Sequence, residues 1–527
     1  MSCDLDPLGC PGRRDSRETA PASRTDPEQH FRTDALMLDL KGSSVRGGAV
    51  TLAAQLAKFT MQLSATVLLA RLLDPADFGL VAMAALPAGF VGLFRGLGLP
   101  LAMVQQADLT HGQVSTLFWI NVVFSAVLML LVAGLSPLAA WFFGEPRLVA
   151  IGMGIAMTML LGGLGVQHGA LLTRQMHFRA LAGMDLASLA AGFAVALWMA
   201  AQGFGYWSLV AMPVAQAGVS TALAWTLSDW RPGSPGRGTG VRALLRFGGS
   251  VQGVDLAYYL ITSMDNVAIG RVLGASELGL YGRAYQLLTM PFSLVTMGAT
   301  RLVIPALSRL RPHPGRYQRY FRVALESVAA VAFPMVGCLL LLGDDLVLLL
   351  LGPDWMQVAP LFRLLGPAAL VLPVLVVPGW VCISMGTVRR QLLWCFAFLP
   401  LFAGAFLTGV MVGGSNGVAV ACSAMNLVFF TAGVGYCLRG SHVGPRDVLA
   451  ALWRPLGVLA VAAAATSLIA QPLLLGCGLG WRVAANLMFF LVVYAGVYLC
   501  APGARSLIAE LLKALGIERS RHGSPAT

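Results

Sequence analysis

Apolar residues occur in long blocks along the chain, separated by short breaks that are rich in glycine, proline or arginine. A block of about 20 apolar residues has the length that an α-helix needs to cross the hydrocarbon core of a bilayer. The blocks show no strict alternation of polar and apolar residues, which a transmembrane barrel would require. Because a backbone in lipid must satisfy its own hydrogen bonds, the pattern predicts an all-α integral membrane protein.

Fourteen blocks are long enough to be spans, and a break rich in glycine, proline and arginine at 228–242 divides them. The predicted spans are 47–70, 78–100, 113–136, 148–172, 180–202, 205–227, 247–270, 278–305, 322–343, 357–385, 391–413, 416–438, 455–471 and 483–501. We expect two pseudo-symmetric six-helix lobes, 41–230 and 231–440, followed by two C-terminal helices within 441–502. The polar composition of 1–40 predicts a disordered cytoplasmic tail, and 503–527 form a second cytoplasmic tail.

The charged residues support this interpretation and orient the chain. Of the 527 residues, 57% are hydrophobic and 11% are charged, against about 25% charged residues in a soluble domain. Outside the spans, 27 basic residues lie on the side of the N-terminal tail and 4 on the other side. The excess of basic residues in cytoplasmic connections places both termini in the cytoplasm. Topology therefore accounts for the net charge of +12, and no nucleic-acid partner is expected.

Several kinds of chemistry are not expected from the motifs. The 9 cysteines form no CxxC pair, and the 7 histidines show no metal-ligand spacing. A phosphate-binding GxxxxGK[ST] loop is absent from the sequence, which argues against ATP-driven pumping. The longest predicted external connection, 344–356, is too short for a catalytic domain. The sequence thus predicts a transporter and not an enzyme, with no cofactor and no metal site.

An internal repeat relates the two predicted lobes. Residues 71–80, RLLDPADFGL, resemble residues 271–280, RVLGASELGL, at an offset of 200 residues. Each copy joins the first and second spans of a six-span half. Since six is an even number, the two halves share one orientation, as in transporters that move two lobes around a central site. Coincidence among Leu- and Gly-rich loops is the alternative to duplication.

Two polar stripes follow the same offset. In span 1, polar residues recur every three or four positions and so share one helix face: Thr51, Gln55, Lys58, Gln62 and Thr66. In span 7, polar residues occupy four of the corresponding positions: Asp255, Tyr258, Thr262 and Asn266. Lipid disfavours such faces, so they point at protein or water. They are either opposite walls of one hydrated cavity or hydrogen-bonding faces in a packed bundle.

Three charged residues within the spans are candidates for function. Lys58 lies about 17 Å from either end of span 1, too deep to reach the interface easily. It would attract an anionic head group or form a structural ion pair. Asp255, about 12 Å into span 7, would bind a coupling proton or cation, or pair with a basic residue. Arg283 shares a face with Gln286 and Ser293 and would contact substrate near the outer mouth or extend to the interface.

Four segments carry a family resemblance. Residues 70–80 (ARLLDPADFGL), 108–121 (DLTHGQVSTLFWIN), 264–274 (MDNVAIGRVLG) and 279–287 (GLYGRAYQL) resemble bacterial polysaccharide exporters. These exporters form the Wzx-like branch of the MOP flippase superfamily, and the resemblance covers about 41–440. It implies an inner-membrane flippase that moves lipid-linked oligosaccharide for lipopolysaccharide, capsule or exopolysaccharide biosynthesis by alternating access. The implied cargo is carried on undecaprenyl pyrophosphate, and proton or cation coupling is a further expectation. No site residue is carried over from the family.

Two rival functions remain open at this point. A MATE-like cation or drug antiporter would share the lobed architecture, but its cargo would favour an acidic cavity, and Lys58 weighs against that. A membrane-embedded glycan polymerase or ligase would need a substantial external loop with catalytic arginine, histidine or aspartate residues. The short external connections weigh against that activity.

Overall fold

The computed structural model describes residues 40–95, 110–235, 252–474 and 476–501, and the regular elements within these ranges are helices. The helices are α1 (Leu40–Ala70), α2 (Pro75–Gly92), α3 (His111–Phe143), α4 (Leu148–Arg174), α5 (Phe178–Ala201), α6 (Tyr206–Leu227), α7 (Gln252–Val272), α8 (Ala275–Leu310), α9 (Pro314–Leu341), α10 (Gly343–Leu350), α11 (Val358–Val371), α12 (Val377–Met385), α13 (Val388–Cys437), α14 (Pro445–Ala465) and α15 (Leu479–Cys500). Every predicted span overlaps one of these helices. Residues 1–39 and 503–527 of the predicted tails, and 236–242 of the predicted break, lie outside the described residues.

The helices confirm an all-α membrane fold. By length and hydropathy, 10 described helices could cross a membrane, or 11 if the two parts of the bent helix α8 count as one span. The polar helices α1 and α7 are not among the 10. Helix α13, which is 50 residues long, is counted as one candidate span. The predicted total of fourteen spans stays a prediction. Helix α10 was not predicted, since its eight residues are too few to read as a span.

Within the first lobe, small residues let α3, α4 and α6 approach closely. A Cβ at Gly163 of α4 would overlap Ser125 of α3, and the Asn121 side-chain amide donates to the Gly163 carbonyl at 2.8 Å. On the other flank of α4, the Thr221 hydroxyl donates to the Leu161 carbonyl at 2.6 Å. In lipid such close contacts and hydrogen bonds hold helices together, because apolar burial cannot. Helix α1 packs on α5 at the edge of this group.

Helix α13 is a hairpin with two antiparallel arms. Gly413 and Gly414 have non-helical backbone angles, and the φ of Gly414 is 58°. A left-handed angle of this kind favours glycine. Close to the turn, a Cβ at Gly417 would overlap the Gly409 carbonyl, so the arms touch there. Near the open end, Trp394 stacks on Tyr436 with ring centroids 5.6 Å apart. The hairpin accounts for predicted spans 11 and 12.

The two C-terminal helices are fastened to the second lobe through α9. At one end of α14, Arg454 pairs with the buried Glu326 of α9 at 3.3 Å. At the other end of the pair, Arg482 of α15 forms an ion pair with Asp345 of α10. Between these ends, Gly337 of α9 lies where a Cβ would overlap Leu459 of α14. Helices α14 and α15 are therefore packed as part of the second lobe.

Within the described ranges, the buried apolar residues form one cluster on one side of the molecule and two separate clusters on the other. We name the sides by the predicted topology, so the α1–α2 connection is external. A large cluster joins both lobes in the middle and external half, and includes Leu80, Met83, Ile151, Leu278, Tyr281, Leu361 and Phe402. In the second lobe it continues towards the cytoplasmic side through Ala257, Cys395 and Phe429. In the cytoplasmic half, each lobe has its own cluster. That of the first lobe includes Val114, Phe118, Leu171 and Trp230, and that of the second includes Leu307, Phe321, Val381 and Leu438.

Candidate functional site

The two copies of the internal repeat meet at the external end of the lobe contact. Helices α2 and α8 begin there and cross so closely that neither crossing glycine has room for a side chain. A Cβ at Gly79 would overlap the carbonyl of Ala275, and a Cβ at Gly279 would overlap the carbonyl of Pro75. The crossing is reciprocal because positions 75 and 275, and 79 and 279, are equivalent in the repeat. Small residues at a helix crossing allow this backbone approach.

The repeated arginines each reach the opposite lobe. Arg71, at the end of α1, donates from Nε to the Leu350 carbonyl of α10 at 3.1 Å and also binds the Leu349 carbonyl. Arg271, at the end of α7, lies over the Phe142 ring at the end of α3, 5.8 Å from its centroid. The external ends of α1 and α7 are therefore each tied to the other half of the protein.

The connection between α10 and α11 inserts a tryptophan into this contact. Trp355 is 1% exposed, and its indole Nε1 donates to the Ala70 carbonyl of α1 at 2.8 Å. Its ring meets Phe78 of α2 edge to face, with centroids 5.4 Å apart. The carbonyl of Ala70 lies at the C-terminal end of α1, where the helix has no N–H partner for it. Trp355 thus completes the end of a helix that belongs to the other lobe.

Arg283 lies beneath this contact and also joins the two lobes. Its guanidinium carbon is 3.8 Å from the centroid of the Phe78 ring, and its Nη1 donates to Gln286 Oε1 at 2.6 Å. The sequence placed Arg283 near the outer mouth, and the structure shows it stacked on the first lobe there. We call the set Arg71, Phe78, Gly79, Arg271, Gly279, Arg283 and Trp355 the external gate.

The polar stripe of α1 faces an acidic partner within its own lobe. Lys58 Nζ lies 2.8 Å from Asp185 Oδ2 of α5. The Lys58 side chain is 26% exposed and that of Asp185 is 48% exposed, so the ion pair is not sealed between the helices. Gln55 is half-buried and Gln62 is exposed on the same helix. Asp185 was not singled out from the sequence, where it lies near the start of the predicted span 180–202.

The polar stripe of α7 lies in the second lobe, where α7 packs on α13 and α2. Asp255 and Tyr258 are exposed, and Thr262 is half-buried with its hydroxyl bonded to the Tyr258 carbonyl at 3.0 Å. Asp255 forms no ion pair with a described residue. Among the described residues, no hydrogen bond joins the α1 and α7 stripes, and the structure does not test whether they share one cavity. The side chain of Thr51 lies outside the described residues.

A second carboxylate of α7 is buried and was not singled out from the sequence. Asp265 is 5% exposed. Tyr281 of α8 donates its hydroxyl to Asp265 Oδ2 at 2.9 Å, and the Asn266 backbone N–H donates to Oδ1 at 2.7 Å. No described basic side chain forms an ion pair with Asp265. The sequence shows a carboxylate inside a predicted span, but it does not show that Tyr281 binds it.

Comparison with known proteins places this arrangement in a family. Residues 68–360 match the family model described as "Polysaccharide biosynthesis protein". The chain belongs to this polysaccharide biosynthesis protein family, which confirms the family predicted from the four sequence segments. The matched region contains both copies of the repeat and the whole external gate.

Two relatives and one solved structure show how far the similarity extends. The chain is 25% identical over 350 residues to the teichuronic acid biosynthesis protein TuaB of Bacillus subtilis, covering 65% of this chain and 72% of that protein. It is 27% identical over 318 residues to the succinoglycan biosynthesis transport protein ExoT of Rhizobium meliloti, covering 58% of this chain and 62% of that protein. The fold resembles the lipid II flippase MurJ in an inward closed conformation, with a TM-score of 0.63 and 10% identity over 89% of this chain and 99% of that chain.

Proposed function

We propose that this protein is a flippase of the bacterial inner membrane that moves a lipid-linked oligosaccharide outward for surface polysaccharide assembly. The observation that carries the proposal is the asymmetry of the core among the described residues, whose apolar clusters are shared between the lobes on the external side and separate on the cytoplasmic side. A cargo made in the cytoplasm would enter between the separated halves. Rocking the lobes would then break the external gate and close the cytoplasmic side.

The similar proteins support the cargo class. ExoT is named a transport protein of succinoglycan biosynthesis, TuaB a teichuronic acid biosynthesis protein, and MurJ a lipid II flippase. We infer that the cargo of this chain is an oligosaccharide on a polyprenyl pyrophosphate carrier, with undecaprenyl pyrophosphate as the expected form. A MATE-like antiporter would use the same lobes for a free cation, so the cargo assay below separates the two functions.

Lys58 is the cation that we propose for the pyrophosphate. A charged lysine in the middle of a span is costly unless it faces water or a partner, and Lys58 has both a partner and partial exposure. An entering pyrophosphate would compete with the Asp185 carboxylate for the ammonium group. Gln55 and Gln62, on the same face, would donate hydrogen bonds to sugar hydroxyls. On the opposite lobe, Tyr258 and Thr262 would do the same.

Asp265 is the group that we propose for ion coupling, in place of Asp255. It is buried without a described basic partner and joins α7 to α8 through Tyr281. A buried carboxylate inside a membrane bundle is a functional candidate by default, because an unpaired charge there is costly. Taking up a proton or a cation would remove that charge and change the contact between the two helices that carry the second-lobe side of the external gate.

The proposal is tested with the purified full chain in lipid vesicles. A fluorescent polyprenyl-pyrophosphate oligosaccharide is placed in the outer leaflet, and its loss of exposure to a membrane-impermeant quencher reports movement across the bilayer. We expect time-dependent movement, and movement should stop when a bifunctional thiol reagent links R71C to L350C across the external gate in a cysteine-depleted background. A reducible version of the reagent provides the control, since reduction should restore movement. Transport of a cationic dye without movement of the lipid would favour the antiporter.

A further inference from the structure

A second feature of the structure is a groove between α8 and α9 in the cytoplasmic half of the second lobe, with a volume of about 690 Å³. Its walls are apolar side chains of both helices, among them Val295, Ala299, Leu302, Val303, Val323 and Val331. The two parts of α8, Ala275–Ser293 and Val295–Leu310, meet at an angle of 44°. Pro291, which cannot donate a helix hydrogen bond, lies just before that bend.

The groove is apolar along its length and cationic at its cytoplasmic end. Leu302 is 70% exposed and Val331 is 50% exposed, so the groove is open along one side. Arg316 and Arg319, both exposed, line the end nearest the α8–α9 connection together with Tyr320. This polarity matches an amphiphile with an anionic head group. Basic pockets between membrane helices on the cytoplasmic side bind anionic lipid head groups.

The groove lies away from the transport path proposed above. On α8, Arg283, Gln286 and Ser293 occupy one face, whereas the groove residues Ala299 and Val303 fall on the opposite face at 100° per residue. The thickness of one helix therefore separates the groove from that face. An occupant of the groove would therefore lie off the proposed transport path.

We propose that this groove binds an anionic glycerophospholipid of the cytoplasmic leaflet. The phosphate lies at Arg316 and Arg319, and an acyl chain follows α8 and α9 towards the bend. From Arg316 to Val331 the helix rises about 22 Å, enough for a head group and the roughly 15 Å of one leaflet of the hydrocarbon core. The site goes beyond the proposed flippase activity and does not depend on it.

Photolabelling in nanodiscs tests the charged end of the site. The full chain is placed in phosphatidylcholine nanodiscs and titrated with phosphatidylglycerol that carries a photoreactive acyl chain. We expect R316Q/R319Q to bind this probe about 30-fold more weakly, the factor that two interfacial arginines supply. The matched control is R309Q/R311Q, which removes the same charge from exposed positions at the nearby end of α8 that do not line the groove.

A second experiment blocks the apolar part of the groove and leaves Arg316 and Arg319 in place. Ala299→Trp places an indole among the lining residues and should abolish labelling of α8 and α9. Met297→Trp, on the exposed opposite side of the same turn, should leave labelling unchanged. Melting temperature and gel-filtration profile show that each variant is folded.

Three results would overturn the proposal. Equal weakening in both double-arginine variants would mean only general attraction to the membrane surface. Equal labelling by a phosphatidylcholine probe would mean no recognition of charge. Displacement of the probe by polyprenyl pyrophosphate at lower concentrations than by phosphatidylglycerol would make the groove a cargo site.

Discussion

Gly79 and Gly279, 200 residues apart in sequence, lie at equivalent positions of a single helix crossing, each against the backbone of the other lobe. A duplicated unit that packs against its own copy produces such a reciprocal contact without any further specialisation. The contact requires that the residues at positions 79 and 279 both lack a side chain. Because the crossing lies at the external end of the lobe contact, its closeness determines whether that side is shut.

A side chain at either glycine should therefore open the external side. We expect Gly79→Val or Gly279→Val to increase the distance between spin labels at positions 72 and 356, which are exposed on the external connections of different lobes. Gly282→Val is the matched control on α8, because a Cβ there meets no atom within 4 Å. An unchanged distance distribution in both glycine variants would show that the crossing does not hold the gate.

Trp355 should stabilise the closed gate through one hydrogen bond. Trp355→Phe keeps a ring beside Phe78 but removes the N–H that binds the Ala70 carbonyl. A buried hydrogen bond contributes about 1 kcal/mol, so the open population should rise roughly fivefold. The same spin-label pair reports the change. Trp481→Phe, at a position that is 68% exposed on α15, is the control and should have no effect. A control effect of similar size would point to general destabilisation.

The sequence predicted the helices better than their contacts, and the repeat shows why. Long apolar blocks show which segments can cross a membrane, so the helices were predicted, and identity at Arg71 and Arg271 indicated an internal repeat. The partners of these arginines, the Leu350 carbonyl and the Phe142 ring, leave no pattern in the sequence because a carbonyl is present at every residue. Helix α10 was not predicted because its apolar run is too short to be recognised as a span.

The same limit applies to the candidate site. Lys58 stood out because a lysine inside an apolar block is rare. Asp185 did not, since its position near a predicted span end suggested simple exposure to water, although it lies 2.8 Å from Lys58. Asp265 was not singled out either, because its hydrogen bond with Tyr281 of the following helix leaves no pattern in the sequence.

The orientation rests on the arginine distribution and stays a prediction. Single cysteines at positions 238, 313 and 520 should react only with reagents that reach the cytoplasm, and cysteines at positions 145 and 354 with impermeant external reagents. Positions 238 and 520 lie outside the described residues, whereas 145, 313 and 354 lie in helix connections. External labelling at 238 or 313 would reverse the topology and, with it, the side on which the lobes are joined.

Asp265 should couple transport to an ion gradient. Asp265→Asn retains an oxygen that can accept the Tyr281 hydroxyl but cannot carry a charge or bind a proton. We expect cargo movement driven by a pH or sodium gradient to fall to the level without a gradient, while exchange at equal concentrations continues. Asp255→Asn is the matched comparison on the same helix. If it uncouples transport and Asp265→Asn does not, the sequence-based candidate is correct and the buried carboxylate is structural.

The Lys58–Asp185 pair allows a structural role to be separated from a role in binding. Lys58→Ala leaves Asp185 without its partner, so loss of transport in that variant alone has two explanations. Lys58→Arg keeps the positive charge with a different shape and hydration, and it should retain part of the activity. The exchanged variant K58D/D185K decides between the explanations, because it restores an ion pair across α1 and α5 but moves the cation from α1 to α5.

If Lys58 binds the pyrophosphate, K58D/D185K should reach normal membrane levels and melt near the wild-type temperature. It should nevertheless move cargo at least tenfold more slowly, a rise of about 1.4 kcal/mol in the activation free energy of transport. Lys58→Ala should be similarly inactive at normal protein levels. Transport is measured with the quencher assay, and protein levels with an antibody against a C-terminal tag. Full activity of the exchanged variant would mean that only the ion pair matters. Normal transport by Lys58→Ala would exclude the head-group role altogether, since no other part of that variant could supply the missing charge at this position.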